Sequence, residues 1–287
     1  MRVPRRLPEV LAGVLLLMMG VGTRLAVVAT FPTIPVADFH NLVAFGLHFR
    51  DQGIFSKGYL WFWDFFNPGF PLVLCGLFHL TPGVNPDSVA RLSTAVACGL
   101  MPLLPFLIWR GVLPFGVRVA ASAALALWPG QVLFSGTAAQ DNWVMFPAVA
   151  LGALAVRALH SSEPPRLMTA ALLYAAGVAI RQEMVVMLLP LFLDAAGVKR
   201  RSAWRRWVMV GLAAVLPLAA LATYRYACTG RFALTTRHGG LTILGSYIPG
   251  AAGGWIQPSP YIASVEPELL TAQHVFHADV FRSGFGR

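Results

Sequence analysis

Residues 10–30 read VLAGVLLLMMGVGTRLAVVAT, and this apolar run decides the fold class. A bilayer core of roughly 30 Å needs about 20 apolar residues for one helical crossing, so the run is long enough to span it. The rest of the chain agrees, because 57% of its 287 residues are hydrophobic, only 12% are charged, and the mean hydropathy is +0.66. We therefore predict an all-α integral membrane protein and exclude a soluble globular chain.

Further apolar stretches follow the first, which gives about seven predicted transmembrane helices. They cover residues 10–30, 88–109, 117–134, 142–158, 167–180, 184–197 and 207–226. Arg2, Arg5 and Arg6 precede the first stretch, as in a signal peptide. The stretch is longer than a typical signal-peptide core and ends at no small-x-small cleavage site. An uncleaved first span is therefore the favoured interpretation.

The net charge of +10 is distributed as in a membrane protein rather than in one that binds nucleic acid. With the N-terminus inside, 12 of the 22 basic residues fall in short inner loops, as the positive-inside rule requires. The same topology leaves only Glu9, Glu163 and Asp194 of the 12 carboxylates inside, so the other nine face outward. Topology does not require that acidic excess, which therefore indicates an external site.

The loop after the first span contains two segments that are too short to cross a bilayer. The first lies within VADFHNLVAFGLHFRDQGIFS, residues 36–56, and the second is NPGFPLVLCGLFHL, residues 67–80. Apolar runs of about 10–14 residues more often lie at an interface or re-enter. We predict outer-face juxtamembrane helices at 38–50 and 67–80, with the aromatic cluster YLWFWDFF, residues 59–66, in the headgroup layer. The alternative is an ordinary helical hairpin.

Four charged residues at the predicted outer face are candidates for a site. Asp38 follows the first span, Asp141 lies between the third and fourth, and Arg181 and Glu183 interrupt the fifth and sixth. Ionisable groups at membrane depth cost about 2.5–3.5 kcal/mol and usually face a cavity or a partner. Structural alternatives stay open for each: a helix N-cap for Asp38, an N-cap or loop residue for Asp141, and a mutual ion pair for Arg181 and Glu183.

The order of these segments resembles that of GT-C glycosyltransferases, the family of protein O-mannosyltransferases and lipid A aminoarabinose transferases. Residues 36–56 are similar to the family's first extracytoplasmic loop, with an acidic residue ahead of an amphipathic helix. NPGFPLVL and DSVARLSTAVACGL are similar to its proline-rich juxtamembrane helix and its Arg-Leu second span. The acidic loop at Asp141, the IRQE turn and TTRHGGLTILGSYIPGAAGGW, residues 235–255, continue the resemblance along nearly the whole chain.

The resemblance implies transfer of a sugar from a polyprenyl phosphate or pyrophosphate to an acceptor on the outer leaflet. By that analogy Asp38 is catalytic, as the general base that takes the proton of an acceptor hydroxyl. Departure of a phosphate needs cationic donors near its oxygens, and backbone N–H groups beside glycines can approach it closely. The implied substrate-binding residues are His40, Lys57, Asp141, Arg181, Glu183, Arg237, His238, Gly239 and Gly240.

The chain departs from the family in two respects. Phe39 follows Asp38 where some relatives carry a second acidic residue, so we predict no metal site and no cofactor; a divalent metal would suit the chemistry, but no residue pattern supports one. Family members usually continue with more spans. We therefore expect an N-terminal GT-C-like module over 1–226, with its first outer loop at 31–87, and a truncated extracytoplasmic loop over 227–287. A partner subunit would then supply the missing C-terminal half.

The expected partners are the polyprenyl-phosphate sugar donor, membrane lipids and an acceptor that the sequence does not identify, with no nucleic acid. The expected location is a bacterial inner membrane, with the chain crossing several times and the site facing outward. Two other functions stay open. A polyprenyl-lipid transporter or flippase should show charges near mid-bilayer and internal repeats, and the sequence indicates neither. A non-catalytic membrane scaffold needs none of the outer carboxylates.

Overall fold

The structure, a computed structural model, describes residues 7–31, 38–56, 62–63, 66–160, 167–188 and 203–234, and these contain helices and no strand. The helices are α1 Leu7–Thr30, α2 Asp38–Gln52, α3 Gly69–Leu80, α4 Pro86–Leu100, α5 Leu103–Ile108, α6 Phe115–Ala126, α7 Pro129–Phe134, α8 Gln140–His160, α9 Leu167–Ile180 and α10 Ala203–Thr229. A 3-10 helix, Gln182–Met187, follows α9. The all-helical prediction is confirmed for this part of the chain.

Four helical segments are long and apolar enough to cross a membrane: Leu7–Thr30, Pro86–Ile108, Gln140–His160 and Trp207–Thr229. The predicted count of about seven spans is therefore not confirmed. The segment 117–134 is divided into α6 and α7, because Pro129 cannot donate a backbone hydrogen bond and starts a new helix. The segment 184–197 begins as a 3-10 helix, and its remainder from residue 189 lies outside the described residues.

The chain folds as two compact units, Met1–Ile54 with Pro68–Ala219, and Phe55–Asn67 with Ala220–Arg287. In the first unit, α1 and α4 cross at two glycines. A Cβ added to Gly20 would overlap the carbonyl oxygen of Gly99, and one added to Gly99 would lie 2.7 Å from the Cα of Val21. Small residues at a helix crossing let two backbones approach within a bilayer, where packing takes the place of the hydrophobic effect.

Helices α2 and α3 pack against each other. They correspond to the two helices that the sequence predicts in the first outer loop. Leu42, Phe45 and Phe49 form the buried stripe of α2 at helical spacing. Gly46 lies in the same stripe, and a Cβ there would meet the Cβ of Leu74 on α3 at 2.7 Å. The two helices are confirmed, but whether they cross a membrane stays a prediction.

One end of the first unit is held by Glu9, near the start of α1. Its carboxylate pairs with Arg110 at 2.8 Å and with the buried Arg118 at 2.9 Å. Arg157, near the end of α8, donates to the carbonyl oxygen of Ile108 at 2.8 Å. These four charged residues were all expected in inner loops, and the structure brings them to a common end.

The opposite end is held by Arg91, near the start of α4. Its Nη2 donates to the carbonyl oxygen of Val28, near the end of α1, at 3.0 Å, and its Nε donates to that of Gly136 at 3.3 Å. The end of α1, the start of α4 and the loop before α8 therefore meet. If α1 and α4 both span a membrane, residues 31 and 91 lie on the same side of it, and the chain between them crosses an even number of times.

Arg24 is buried inside α1, with 1% of its surface exposed, and contacts the break between α6 and α7. Its Nη1 donates to the carbonyl oxygens of Ala126 and Gly20, both at 2.9 Å, and its Nη2 to that of Leu125 at 3.4 Å. The last carbonyls of a helix have no partner within the helix. Arg24 therefore satisfies carbonyls that the break in the third segment leaves open.

The second unit contains the end of α10 and the aromatic segment that precedes α3. The ring of Tyr224 lies edge-on to those of Phe55 and Trp63, with centroids 5.3 and 5.2 Å apart. Arg225, 1% exposed, donates to the side-chain oxygen of Asn67. The last turns of α10 thus pack on the segment expected in the headgroup layer.

Candidate functional site

Three of the predicted outer residues meet in the structure. Arg181 forms ion pairs with Asp141, through Nη1, and with Glu183, whose Oε2 lies 3.2 Å from the arginine Nε. The expected alternative for Arg181 and Glu183, a mutual ion pair, is therefore present. Arg181 also contacts α8, because its partner Asp141 belongs to that helix. The two carboxylates, 60% and 62% exposed, and the guanidinium together carry a net charge of −1.

The position of Arg181 is set by the way α9 ends. The backbone is helical to Ile180 and extended at Arg181, with φ −143° and ψ 127°. The turn then folds back, so that the buried Met184 covers Gly177. A Cβ at Gly177 would lie 2.7 Å from the Met184 methyl carbon, so glycine makes room for this contact. The IRQE segment is therefore a packed turn that directs Arg181 toward α8.

Helix α3 packs directly on the end of α9. A Cβ at Gly69 would lie 2.5 Å from the carbonyl carbon and oxygen of Ala179, so no side chain fits there. The next residue, Phe70, is fully buried and contacts the ring of Trp143 on α8 at 5.9 Å between centroids. The NPGFP segment thus holds the pair α2–α3 beside Arg181, and this explains its glycine.

Asp141 lies in the first turn of α8 rather than ahead of the helix. A carboxylate in this turn interacts favourably with the helix dipole. The adjacent Asn142 is 2% exposed and donates to the carbonyl oxygens of Phe134 at 2.7 Å and Thr137 at 3.2 Å. These bonds hold the loop between α7 and α8, which leads to Asp141.

A cavity of about 280 Å³ lies beside Asp141. It is lined by Phe39, Trp128, Gly130, Gln131, Phe134, Ala139, Asp141, Asn142 and Met145. Phe39 follows Asp38 directly in the chain, so the start of α2 and the start of α8 share one cavity. Phe39, the residue after Asp38, and Asp141 therefore line the same cavity although they are distant in sequence.

The remaining predicted site residues are distributed as follows. Asp38 is the first residue of α2, and its side chain lies outside the described part of the structure. His40 is exposed on the same helix. Lys57, Arg237, His238, Gly239 and Gly240 lie outside the described residues, as does the whole Gly-rich segment 235–255.

Arg50 and Asp51, at the end of α2, pair with each other. The arginine Nε lies 2.7 Å from Oδ1 of Asp51. This hydrogen bond, more than any other interaction, lowers the pKa of the Asp51 carboxyl from its ordinary value. Asp51 is thus paired on the opposite end of α2 from Asp38.

Two arginines that join separate helices in the structure were not predicted from the sequence to do so. Arg91 entered only as part of a motif, whereas in the structure it joins α1, α4 and the loop before α8. Arg24 was passed over inside an apolar run. A charged residue within a span is itself a signal, because its cost in lipid demands a partner.

Neither the models of protein families nor the curated proteins searched contain a match to this chain. Among the residues that the structure describes, no group of three or more His, Cys, Asp or Glu side chains is arranged to hold a metal ion.

Proposed function

We propose that this protein transfers a sugar from a polyprenyl-phosphate donor to an acceptor at the outer face of a bacterial inner membrane. The observation that carries the proposal is the cavity lined by both Phe39, next to Asp38, and Asp141. An alcohol is a weak nucleophile, and a positioned carboxylate can take its proton as the anomeric bond breaks. Asp38 has that role in the proposal, and Asp141 orients the acceptor.

The ion pairs of Arg181 support a positioning role for this residue rather than phosphate binding. Its guanidinium is shared by Asp141 and Glu183, so the three groups together repel an anion. The phosphate of the donor is then bound by cations elsewhere. Lys57, Arg237 and His238 are the predicted candidates, with Gly239 and Gly240 beside them.

The test is the substitution Asp38→Asn. Asparagine keeps the shape and hydrogen-bonding capacity but removes the base, so transfer from a panel of radiolabelled polyprenyl-phosphate sugars should fall by about 100-fold or more. Donor binding should change far less, since the base acts on the acceptor. Asp51→Asn, the same change on the same helix, is the control and should retain transfer. Wild-type transfer by Asp38→Asn would contradict the assignment and favour Asp141 as the base.

A polyprenyl-lipid transporter is the second candidate, and Arg24 favours it. Transporters commonly combine broken helices with charged groups inside the membrane, and here a buried arginine contacts a break between α6 and α7. The discriminating measurement is movement of a fluorescent polyprenyl phosphate across the bilayer of proteoliposomes. Movement that Arg24→Gln abolishes and Asp38→Asn leaves intact would support the transporter over the transferase.

A further inference from the structure

Three arginines from separate segments meet one carboxylate at the predicted inner end of the first unit. Glu9 pairs through Oε1 with Arg118 at 2.9 Å and through Oε2 with Arg110 at 2.8 Å. Arg157 donates to the backbone carbonyl oxygen of Arg110 at 3.1 Å. The three guanidinium groups and the carboxylate carry a net charge of +2, so these described residues together attract an anion.

Arg118 is held inside the protein and offsets the charge of Glu9. Only 5% of its side chain is exposed, and its Nη1 donates to the carbonyl oxygen of Phe106 at 3.1 Å. The guanidinium carbon also lies 5.1 and 5.6 Å from the ring centroids of Phe106 and Phe115, within the range of cation–π attraction. Because Arg118 balances Glu9, the charge of Arg110 is in excess.

Arg110 is the arginine of this cluster that a ligand can reach. Its side chain is 58% exposed, and it pairs with Glu9 through Nη2. Its Nε and Nη1 have no partner among the residues that the structure describes. A guanidinium offers five N–H donors in a planar fork, and phosphate oxygens accept such charge-assisted hydrogen bonds well. Arg110 therefore offers an accessible cation to a phosphate.

The cluster lies where three helical segments of membrane-spanning length end. Glu9 lies in the first turn of α1, and Arg157 lies in the last turn of α8. Arg110 follows Ile108, the end of a third such segment, by two residues. A helix that crosses the apolar core ends in the head-group layer, so Arg110 is placed at the level of lipid phosphates if these helices span a membrane.

Exposed apolar side chains adjoin the cluster. Leu107 is 59% exposed, and its carbonyl oxygen accepts a hydrogen bond from the backbone N–H of Arg110 at 3.2 Å. Phe115, whose ring contacts Arg118, is 41% exposed. A soluble anion would gain nothing from these two side chains, whereas the acyl chain of a lipid would pack on them. The combination favours a ligand with an anionic head and an apolar tail.

We propose that Arg110 and its neighbours bind an anionic phospholipid, a phosphodiester such as phosphatidylglycerol, in the predicted inner leaflet. The phosphate accepts hydrogen bonds from Arg110, and the first carbons of an acyl chain lie against Leu107 and Phe115. Basic groups between helices at the cytoplasmic face commonly bind anionic head groups. The site lies at the end opposite to Arg181, and no step of sugar transfer enters the inference.

The test uses two photoreactive probes that share one diazirine-bearing acyl chain, a phosphatidylglycerol and a phosphatidylcholine. Both are added to the purified protein in phosphatidylcholine nanodiscs, and the phosphatidylglycerol should label residues 107–117 about fivefold more strongly. Arg110→Gln should lower that labelling about fivefold, the usual effect of one arginine at an anionic lipid surface. Arg50→Gln is the control and should leave the labelling unchanged, because Asp51 balances the charge of Arg50 at the end of α2.

Glu9→Gln separates lipid binding from a folding defect. The substitution removes the carboxylate that competes with a lipid phosphate for Arg110, so labelling by the phosphatidylglycerol probe should rise above that of the wild type. It also leaves two guanidinium groups without their partner, so the unfolding temperature in phosphatidylcholine nanodiscs should fall. Nanodiscs that contain phosphatidylglycerol should restore part of that loss. A purely structural role of the cluster would lower the labelling and the unfolding temperature together.

Three results would overturn the inference. The first is equal labelling of residues 107–117 by the two probes, and the second is labelling that Arg110→Gln does not change. The third is loss of phosphatidylglycerol labelling in millimolar inorganic phosphate, which would assign the cluster to a soluble anion. Failure of sugar transfer would leave the inference intact, because the labelling is measured without a sugar donor.

Discussion

Arg181 joins two acidic side chains from different parts of the chain, and its contribution can be measured residue by residue. Ion pairs that are partly exposed contribute about 0.2–1 kcal/mol each. Arginine is suited to this position because its planar fork offers several donors at fixed angles, which lysine does not. The sequence places a cation here, but only the packed turn after α9 determines which carboxylates it contacts.

A double-mutant cycle on Arg181→Gln and Asp141→Asn should show coupling between the two residues. We expect each substitution to lower the free energy of unfolding, and the double variant to lose about 0.5–1 kcal/mol less than the sum. Thermal unfolding of the purified protein in micelles gives the measurement. Arg181→Gln combined with Asp51→Asn is the control and should be additive, because Asp51 pairs with Arg50. Additivity in both cycles would mean that Arg181 and Asp141 do not interact in solution.

At the scale of helices, the contact between α3 and α9 depends on a single missing side chain. Gly69→Ala places a methyl group within 2.5 Å of the Ala179 backbone, so α3 must move. Overpacking of this kind costs about 1–3 kcal/mol. We expect a loss of that size in the free energy of unfolding, together with a fall in the proposed sugar transfer, because α2 and α3 move with respect to Asp141.

Gly76→Ala is the matched control on the same helix. A Cβ at Gly76 meets no described atom within 4 Å, so the substitution should be neutral or raise the helix's stability by up to about 1 kcal/mol. Equal effects of Gly69→Ala and Gly76→Ala on unfolding and transfer would show that the close packing on α9 is not required.

The helices could be predicted from the sequence to different degrees, for physical reasons that differ between them. Residues 10–30 and 38–50 fall within α1 and α2 because apolar length and helical spacing are local properties. The break at Trp128 and Pro129 was not predicted, because a single proline hardly changes the mean hydropathy over residues 117–134. The contact of Arg24 with Ala126 joins residues too distant for any local pattern to reveal.

The candidate site was predictable as a set of residue types and not as an arrangement. Asp141, Arg181 and Glu183 stood out because charge is rare in so apolar a chain. Their meeting depends on contacts such as that of Gly69 with Ala179, which only tertiary packing determines. The cavity depends on the break before α7, which Pro129 marks but the mean hydropathy does not show, and on Phe39, whose place in the lining only tertiary packing determines.

At the scale of the whole molecule, the two ends of the first unit predict how the chain crosses the membrane. Glu9, Arg110 and Arg118 meet at the predicted inner end, and Arg181 lies at the other. An impermeant thiol reagent should therefore label a cysteine placed at Ser56 or Ser259 but not one at Ser202. The native cysteines Cys75, Cys98 and Cys228 are buried, which keeps the background low. Labelling of position 202 from outside would reverse the orientation.

The pair α2–α3 gives a separate prediction about topology. If α1 and α4 span a membrane, the number of crossings between residues 31 and 91 is even, so both α2 and α3 cross or neither does. With 15 and 12 residues they span about 22 and 18 Å at 1.5 Å per residue, short of the roughly 30 Å core. Reporter fusions after Tyr59 and after Gly83 should therefore report the same side. Opposite sides would establish the hairpin that crosses twice.

Arg24 has a consequence for the way this protein is made. Synthesis delivers α1 to the membrane well before Leu125 and Ala126, whose carbonyl oxygens its guanidinium contacts. Until then the first helix holds a charge that costs about 2.5–3.5 kcal/mol in lipid, offset by a mean hydropathy of 2.0 along its best window. A nascent chain whose synthesis is halted before residue 125 should therefore insert less stably in the membrane and be degraded more readily. Once α6 is synthesised, the contact of Arg24 with its last carbonyl oxygens would stabilise α1, which entered the bilayer earlier.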